Sequence, residues 1–142
     1  MPIHPVFSHM PSAFVLALLI CEMLSYRLDY LQTTRSFLVI LLLSSSLIAF
    51  FTGYFNQPVV AESIAKQLAD HYNLARCTLL LSLLLSLAEI ARRLAIAPQQ
   101  ISLRSKIYRL ILGSLVIIIF LTGQSGGTLV FDLGVGVTEI IK

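Results

Sequence analysis

Charged residues are scarce in this sequence. Asp, Glu, Lys and Arg make up 12% of its 142 residues, whereas soluble domains carry about 25%. Hydrophobic residues account for 57%, and the mean hydropathy is +0.89. A water-soluble core of this size could not bury so much apolar surface. The composition therefore excludes an ordinary soluble domain and predicts that part of the protein surface faces lipid.

The sequence also lacks the patterns of a nucleic-acid-binding or disulfide-linked protein. Its net charge is only +3, and its basic residues lie beside apolar segments without interleaved aromatic residues, so neither DNA nor RNA is an expected partner. Cys21 and Cys77 lie in apolar runs without CxxC spacing and are predicted to be packing residues. No polar linker divides the chain, so residues 1–142 are expected to form a single domain.

Catalytic motifs are lacking as well. The sequence shows no nucleophile paired with a base and no pair of catalytic carboxylates. The GVGV segment near the end follows no predicted strand, which disfavours a phosphate-binding loop. The sequence therefore favours a protein that is not an enzyme.

The sequence contains four long apolar stretches. They cover residues 12–26, 36–55, 72–91 and 105–122, and about 20 apolar residues in a helix suffice to cross a bilayer. The runs are continuous and do not alternate with polar residues, which favours helices over membrane strands. No basic residue precedes Arg27, so a cleaved signal peptide is not expected. The predicted fold is an all-α, four-helix transmembrane bundle.

The orientation of the bundle follows from its Lys and Arg residues, which favour cytoplasmic loops. Seven flank the connections between spans one and two and between spans three and four, and three lie on the other side. This asymmetry predicts that both termini are non-cytoplasmic. The seven are Arg27, Arg35, Arg92, Arg93, Arg104, Lys106 and Arg109, and the three are Lys66, Arg76 and Lys142.

All three histidines fall on that non-cytoplasmic side. His4 and His9 precede span one and His71 opens span three. Imidazole nitrogens bind haem iron and transition metals, so these residues are candidate ligands for haem b or a metal. Asp70 would orient one ring, and Arg76 would face a haem propionate. The alternative is that the histidines are interfacial side chains that cap helices and contact water.

Polar residues within the spans have a functional and a structural interpretation. Glu22 and Glu89 could belong to a proton path. Pairing with Arg27, Arg92 and Arg93 is the favoured interpretation. Four serines near mid-depth are expected to mediate helix packing and interhelical hydrogen bonds: Ser44, Ser45, Ser46 and Ser82.

The segment after span four is rich in glycine. We expect its glycines to allow tight turns and close backbone approach, as this tail folds back over the outer face of the bundle. The glycines are Gly123, Gly126, Gly127, Gly134 and Gly136.

Four motifs together resemble a known family. They are IHPVFSHMPSAFVLALL at the start, the TG of Thr52 and Gly53 ending span two, His71, and GGTLVFDLGVGV at the end. The chain is similar over essentially its whole length to the bacterial four-span membrane proteins called domain of unknown function 2231. The resemblance implies a multi-pass protein of the bacterial inner membrane.

The resemblance also implies site residues and a redox association. Some relatives occur alongside cytochrome or iron–sulfur modules. The residues that match the family are the histidines His4, His9 and His71 and the glycines Gly126, Gly127, Gly134 and Gly136. Relatives often have a histidine directly before the last GVGV, where this chain has Leu133. This protein would therefore use fewer ligands or would have lost the site.

Three functional hypotheses follow from the sequence. The first is a small membrane subunit whose outer-face histidines bind haem b or a metal and support electron transfer. The second is a cofactor-free structural or assembly subunit. The third is an oligomeric transporter that uses Glu22 and Glu89. The expected partners are lipid, other membrane or redox subunits, and further copies of the chain.

Overall fold

The computed structural model describes residues 7–25, 31–94 and 98–135. Within these ranges the chain forms four long α-helices and no strand, which confirms the all-α prediction. The helices are α1 (Met10–Ser25), α2 (Leu31–Phe55), α3 (Glu62–Arg93) and α4 (Pro98–Gly127), and a π-helical segment, Thr128–Asp132, follows α4.

The helices form an antiparallel ring. Helix α1 packs on α2, α2 on α3, α3 on α4, and α4 on α1, with the most extensive packing between α3 and α4. Contacts near the helix ends fix the directions. Arg35 near the start of α2 meets Glu22 near the end of α1. Arg93 at the end of α3 donates to the carbonyl of Gln32 at the start of α2, and Arg104 near the start of α4 donates to the carbonyl of Ala91 near the end of α3. Each helix therefore runs opposite to both of its neighbours.

The core consists of one stripe of side chains from each helix, spaced three or four residues apart. Such spacing places residues on one helix face. The core residues are 0–6% exposed and comprise Val15, Leu18, Val39, Leu42, Leu85, Tyr108, Leu112, Leu115 and Ile119.

The bundle has two chemically different ends. The arginine end is where α1 and α3 finish, at Ser25 and Arg93, and where α2 and α4 begin, at Leu31 and Pro98. At the opposite end, called the histidine end, lie His71 of α3 and Gly126 of α4. These two names are used below for the two ends.

Three helical segments are long and apolar enough to cross a membrane. They are Leu31–Phe55, Glu62–Arg93 and Ser102–Asp132. By length and composition, these helices agree with three of the four predicted spans. Large apolar side chains cover their outer surface: Phe37, Ile40, Leu80, Leu110, Ile117 and Phe120 are 59–72% exposed. An exterior of this composition matches lipid.

Helices α2, α3 and α4 are longer than the spans predicted within them, whereas α1 has nearly the predicted length. Helix α1 has 16 residues, or about 24 Å at 1.5 Å per residue, which is shorter than a bilayer core of about 30 Å. Helix α3 starts at Glu62 instead of Tyr72, because the polar segment before the apolar run is also helical. The end of the predicted first span, at Tyr26, lies outside the described residues.

The glycine-rich segment is more helical than predicted. Tight turns were expected directly after Thr122, but α4 continues through Gly123 and Gly126 to Gly127 and then into the π-helix. Turns were therefore the wrong prediction here, because a helix tolerates isolated glycines at a modest free-energy cost. Among the described glycines, Gly134 adopts the left-handed backbone conformation, with φ of 65°. The return of the tail over the bundle stays a prediction, and Gly136 lies outside the described residues.

Candidate functional sites at the two ends of the bundle

The arginine end contains a buried polar layer to which every helix contributes. Glu22, Arg35 and Glu89 each lie four residues beyond a core residue of α1, α2 and α3, and Tyr108 is the core residue of α4 at the same level. Arg35 is 3% exposed, Glu89 3% and Tyr108 0%. Ionised groups are costly at such depth unless they are paired, so the contacts within the layer decide what it can do.

Arg35 lies between the two carboxylates. Its Nη1 donates a hydrogen bond to Oε2 of Glu22 at 2.8 Å. Its Nε is 3.7 Å from Oε2 of Glu89, which is ion-pair distance but too long for a hydrogen bond. One guanidinium thereby links α1, α2 and α3.

Glu89 accepts hydrogen bonds from several donors. Arg92 donates from Nε and Nη2 at 2.8–3.0 Å, and Arg93 donates from Nε at 3.3 Å. The hydroxyl of Ser36 on α2 donates to Oε1 of the same carboxylate. A carboxylate with this many donors is held in one position.

Tyr108 of α4 lies between two guanidinium groups. Cζ of Arg35 is 5.8 Å and Cζ of Arg92 is 5.5 Å from the centre of the phenol ring. Both distances fall within the range of cation–π attraction. The ring therefore joins α4 to the arginines of α2 and α3 without a hydrogen bond.

Further basic side chains surround this layer at the surface. Nε of Arg109 lies 3.6 Å from Oε1 of Glu22, with 62% of the arginine side chain exposed. Arg93 is 48% exposed at its side chain and donates to the hydroxyl of Ser36 at 2.7 Å. Arg104 donates to the backbone carbonyl of Ala91. The buried layer is thus closed from outside by arginines.

The sequence predicted part of this network. Pairing of Glu89 with Arg92 and Arg93 is confirmed, whereas the partners of Glu22 are Arg35 and Arg109. Arg27, the partner proposed for this region, lies outside the described residues. The roles of Arg35 and Tyr108 were missed. Their three- and four-residue spacing from Val39 and Leu112 would have indicated that both face the core.

Hydroxyl groups connect the helices between the two ends. Ser46 of α2 and Ser82 of α3 lie 3.1 Å apart at their Oγ atoms, and Thr78 lies 3.2 Å from Thr122 of α4. The predicted interhelical role of the serines is confirmed for this pair. Ser45 instead donates to Leu42 of its own helix, and Ser44 is exposed.

The histidine end brings two of the predicted site residues together. A Cβ placed on Gly126 would lie 3.1 Å from Cε1 of His71 and 3.6 Å from its Nδ1. The half-buried imidazole therefore packs on the backbone of α4, where glycine leaves it room. Close by, Tyr72 donates from its hydroxyl to the carbonyl of Gly53 at 3.2 Å and joins α3 to α2.

The other predicted residues described at this end, His9, Asp70 and Arg76, lie at the surface. His9 and Asp70 are exposed, and Arg76 is exposed with Nη1 3.5 Å from Oδ1 of Asn73. Among residues 7–25, 31–94 and 98–135, no three His, Cys, Asp or Glu side chains cluster in a way that could hold a metal ion. His4 lies outside the described residues. The described part of the chain thus supplies two imidazoles, the half-buried ring of His71 and the exposed ring of His9.

The architecture defines a class: an all-helical bundle with an apolar exterior and three helices suited to a membrane. Residues 1–139 match the family described as "Predicted membrane protein (DUF2231)". The chain belongs to this family, as the resemblance of its motifs predicted. The comparison with curated proteins and the comparison with solved structures give no match. The family description names a membrane protein and no activity.

Proposed function

We propose that this chain is a structural subunit of a complex in the bacterial cytoplasmic membrane, where it holds partner proteins in position. The single observation that carries the proposal is the buried layer at the arginine end. Each of the four helices contributes to it through Glu22, Arg35, Glu89 and Tyr108. Such a layer fixes the helices relative to one another and gives partners a rigid surface.

The pairing of the two glutamates favours this structural role over proton transfer. Glu89 is engaged by Arg92, Arg93 and Ser36, and Glu22 by Arg35. A carboxylate that exchanges protons during transport must leave its charged partners, at a high free-energy cost in a low-dielectric interior. If the protein were a transporter that uses these glutamates, flux in proteoliposomes would collapse in Glu22→Gln or Glu89→Gln. Flux that these changes leave unaltered would remove the transporter hypothesis.

The outer surface of α4 offers a place for a partner helix. Gly113 is exposed, and a Cβ added to it would find nothing within 4 Å. Glycines at lipid-facing positions let the backbone of another membrane helix approach closely. A partner that docks here would be one of the membrane subunits, or a further copy of the chain, that the sequence predicted.

The test is purification of the natively expressed chain in a mild detergent, with identification of the proteins that accompany it. We expect a defined partner or oligomer with the native chain and its loss with Gly113→Leu. Ile117→Leu, at another exposed position of α4, is the matched control and should keep the partner. Recovery of the native chain only as a monomer would contradict the proposal.

A second candidate, a redox subunit, rests on the position of His71. Its imidazole is held against α4 at Gly126, and His9 precedes α1 at the same end of the bundle. With His4, these residues would supply nitrogen ligands, and haem b or a transition metal bound there would supply electron transfer.

An optical spectrum and a metal analysis of the same preparation test this candidate. A Soret band or bound metal that disappears in His71→Ala but persists in Asp132→Asn, an exposed residue, would support it. A colourless and metal-free protein from haem-replete cells would end it. The structural proposal would survive that result, because it depends on the opposite end of the bundle.

A further inference from the structure

The network at the arginine end carries more positive than negative charge. Arg35, Arg92 and Arg93 reach Glu89, and Arg35 and Arg109 reach Glu22. Four arginines thus face two carboxylates, which leaves two positive charges in excess. Arg93 and Arg109 are 48% and 62% exposed at their side chains, so the excess positive charge lies on the outer side of the network, where it favours an anionic partner.

The oxygens of the buried carboxylate are already occupied. Oε1 of Glu89 accepts hydrogen bonds from Ser36, Arg92 and Arg93. Oε2 accepts two from Arg92 and lies 3.7 Å from Nε of Arg35. Glu89 therefore has little acceptor capacity left to offer to another donor.

Three donor atoms in the same layer remain without a hydrogen-bond acceptor in the described part of the chain. They are Nε and Nη2 of Arg35 and the hydroxyl of Tyr108, and the two residues are 3% and 0% exposed. Of these, Nε lies at ion-pair distance from Glu89, whereas the other two have no such neighbour in the network. The two groups are neighbours, because Cζ of Arg35 is 5.8 Å from the ring centre of Tyr108. Buried donors without acceptors are rare in folded proteins, so their occurrence together indicates a missing acceptor.

We propose that the arginine end binds a phosphate group. Its oxygens accept from Nη2 of Arg35 and the hydroxyl of Tyr108, and its charge offsets the excess of arginine. Phosphate suits this place because it carries negative charge on acceptor oxygens that match the planar guanidinium fork.

The phosphate enters between α1 and α4. This is the least extensively packed of the four contacts between neighbouring helices, and the pair that spans it, Arg109 with Glu22, is long at 3.6 Å. The side chain of Arg109 is 62% exposed and reaches the level of the helix ends, where lipid headgroups lie. A phospholipid headgroup and free inorganic phosphate share the required chemistry.

Thermal unfolding of the full chain in a maltoside detergent separates the two sources. Phosphatidylglycerol, diacylglycerol with the same acyl chains, and inorganic phosphate are added in parallel. A midpoint raised by phosphatidylglycerol but not by diacylglycerol or inorganic phosphate assigns the site to a lipid headgroup. A midpoint raised by inorganic phosphate assigns it to the free ion. No difference between phosphatidylglycerol and diacylglycerol, with no effect of inorganic phosphate, overturns the proposal.

Tyr108→Phe tests the geometry of the site, because it removes only the hydroxyl. We expect the compound that raised the midpoint, phosphatidylglycerol or inorganic phosphate, to bind about tenfold more weakly, since a hydrogen bond to a charged group is lost. Without phosphate the variant should unfold at the midpoint of the native chain or above it, because that hydroxyl has no acceptor to lose. Arg76→Gln, an exposed arginine of the histidine end, is the control and should bind like the native chain. Native affinity in Tyr108→Phe would contradict the inference.

Discussion

Arg35 of α2 donates to Glu22 of α1 across 2.8 Å, with 4% of the arginine side chain and 16% of the glutamate side chain exposed. Water can do little to screen either charge at this depth. A buried ion pair adds little net stability compared with apolar residues of the same volume. Removing one partner is costly, however, because it leaves the other charge buried without compensation. The pair therefore specifies how α1 and α2 meet more than it strengthens the fold.

Arg35→Gln is expected to lower the free energy of unfolding by about 3–5 kcal/mol, because it leaves two carboxylates short of positive charge in a buried layer. Unfolding by a denaturing detergent, followed by circular dichroism, measures the loss. Arg76→Gln removes the same type of side chain from an exposed position and should change little. Equal stability of the two variants would mean that the buried layer does not hold the bundle together.

The two glutamates are expected to differ in their importance. Glu89→Gln should cost about 3–5 kcal/mol, since it removes a charge shared by several donors. Glu22→Gln should cost about 1–3 kcal/mol, since this side chain is 16% exposed and has one short hydrogen bond. The same unfolding assay ranks them, and a larger loss for Glu22→Gln would contradict the assignment of Glu89 as the centre of the network.

The fold was largely predictable because apolar length and continuity dominate the sequence. The three strongest spans correspond to α2, α3 and the apolar part of α4. The extension of α3 to Glu62 could not be read from hydropathy, because a polar helix beyond the membrane carries no apolar signal. The continuation of α4 through Gly126 was missed because glycine was taken as a turn residue, whereas its packing against His71 depends on the neighbouring helix.

The candidate sites were less predictable than the fold. The charges of Glu22 and Glu89 indicated ion pairs at the arginine end. Their partner Arg35 was used only to predict the orientation of the bundle, so its burial between the two glutamates was missed. Tyr108 shows why spacing matters: it lies on the stripe of Leu112 and Leu115, so it is buried. Which polar groups meet across helices depends on helix rotation and register, and a single sequence does not encode these explicitly.

Gly126→Ala is expected to be less stable than Gly113→Ala by about 1 kcal/mol, because the added methyl would lie 3.1 Å from Cε1 of His71 and the ring must shift. Gly113→Ala, which meets nothing within 4 Å, is the control and should be neutral or stabilising by up to about 1 kcal/mol through better helix propensity. Both values come from detergent unfolding.

A double variant identifies the cause of that loss. In a His71→Ala background the added methyl of Gly126→Ala has no ring to displace, so its cost should disappear. An unchanged cost in this background would show that the two residues are not coupled and that the glycine is required for another reason.

The orientation of the bundle is testable through single cysteines at its two ends. With Cys21 and Cys77 replaced by alanine, Gln57→Cys lies in the exposed loop between α2 and α3, and Ser102→Cys lies exposed near the start of α4. The excess of arginine around Ser102 favours the cytoplasmic side for that end. In intact cells, a membrane-impermeant maleimide should label Gln57→Cys, whereas Ser102→Cys should react only after permeabilisation. The reverse pattern would place His71 in the cytoplasm and would remove the basis for an outer-face redox site, while the ion network would be unaffected.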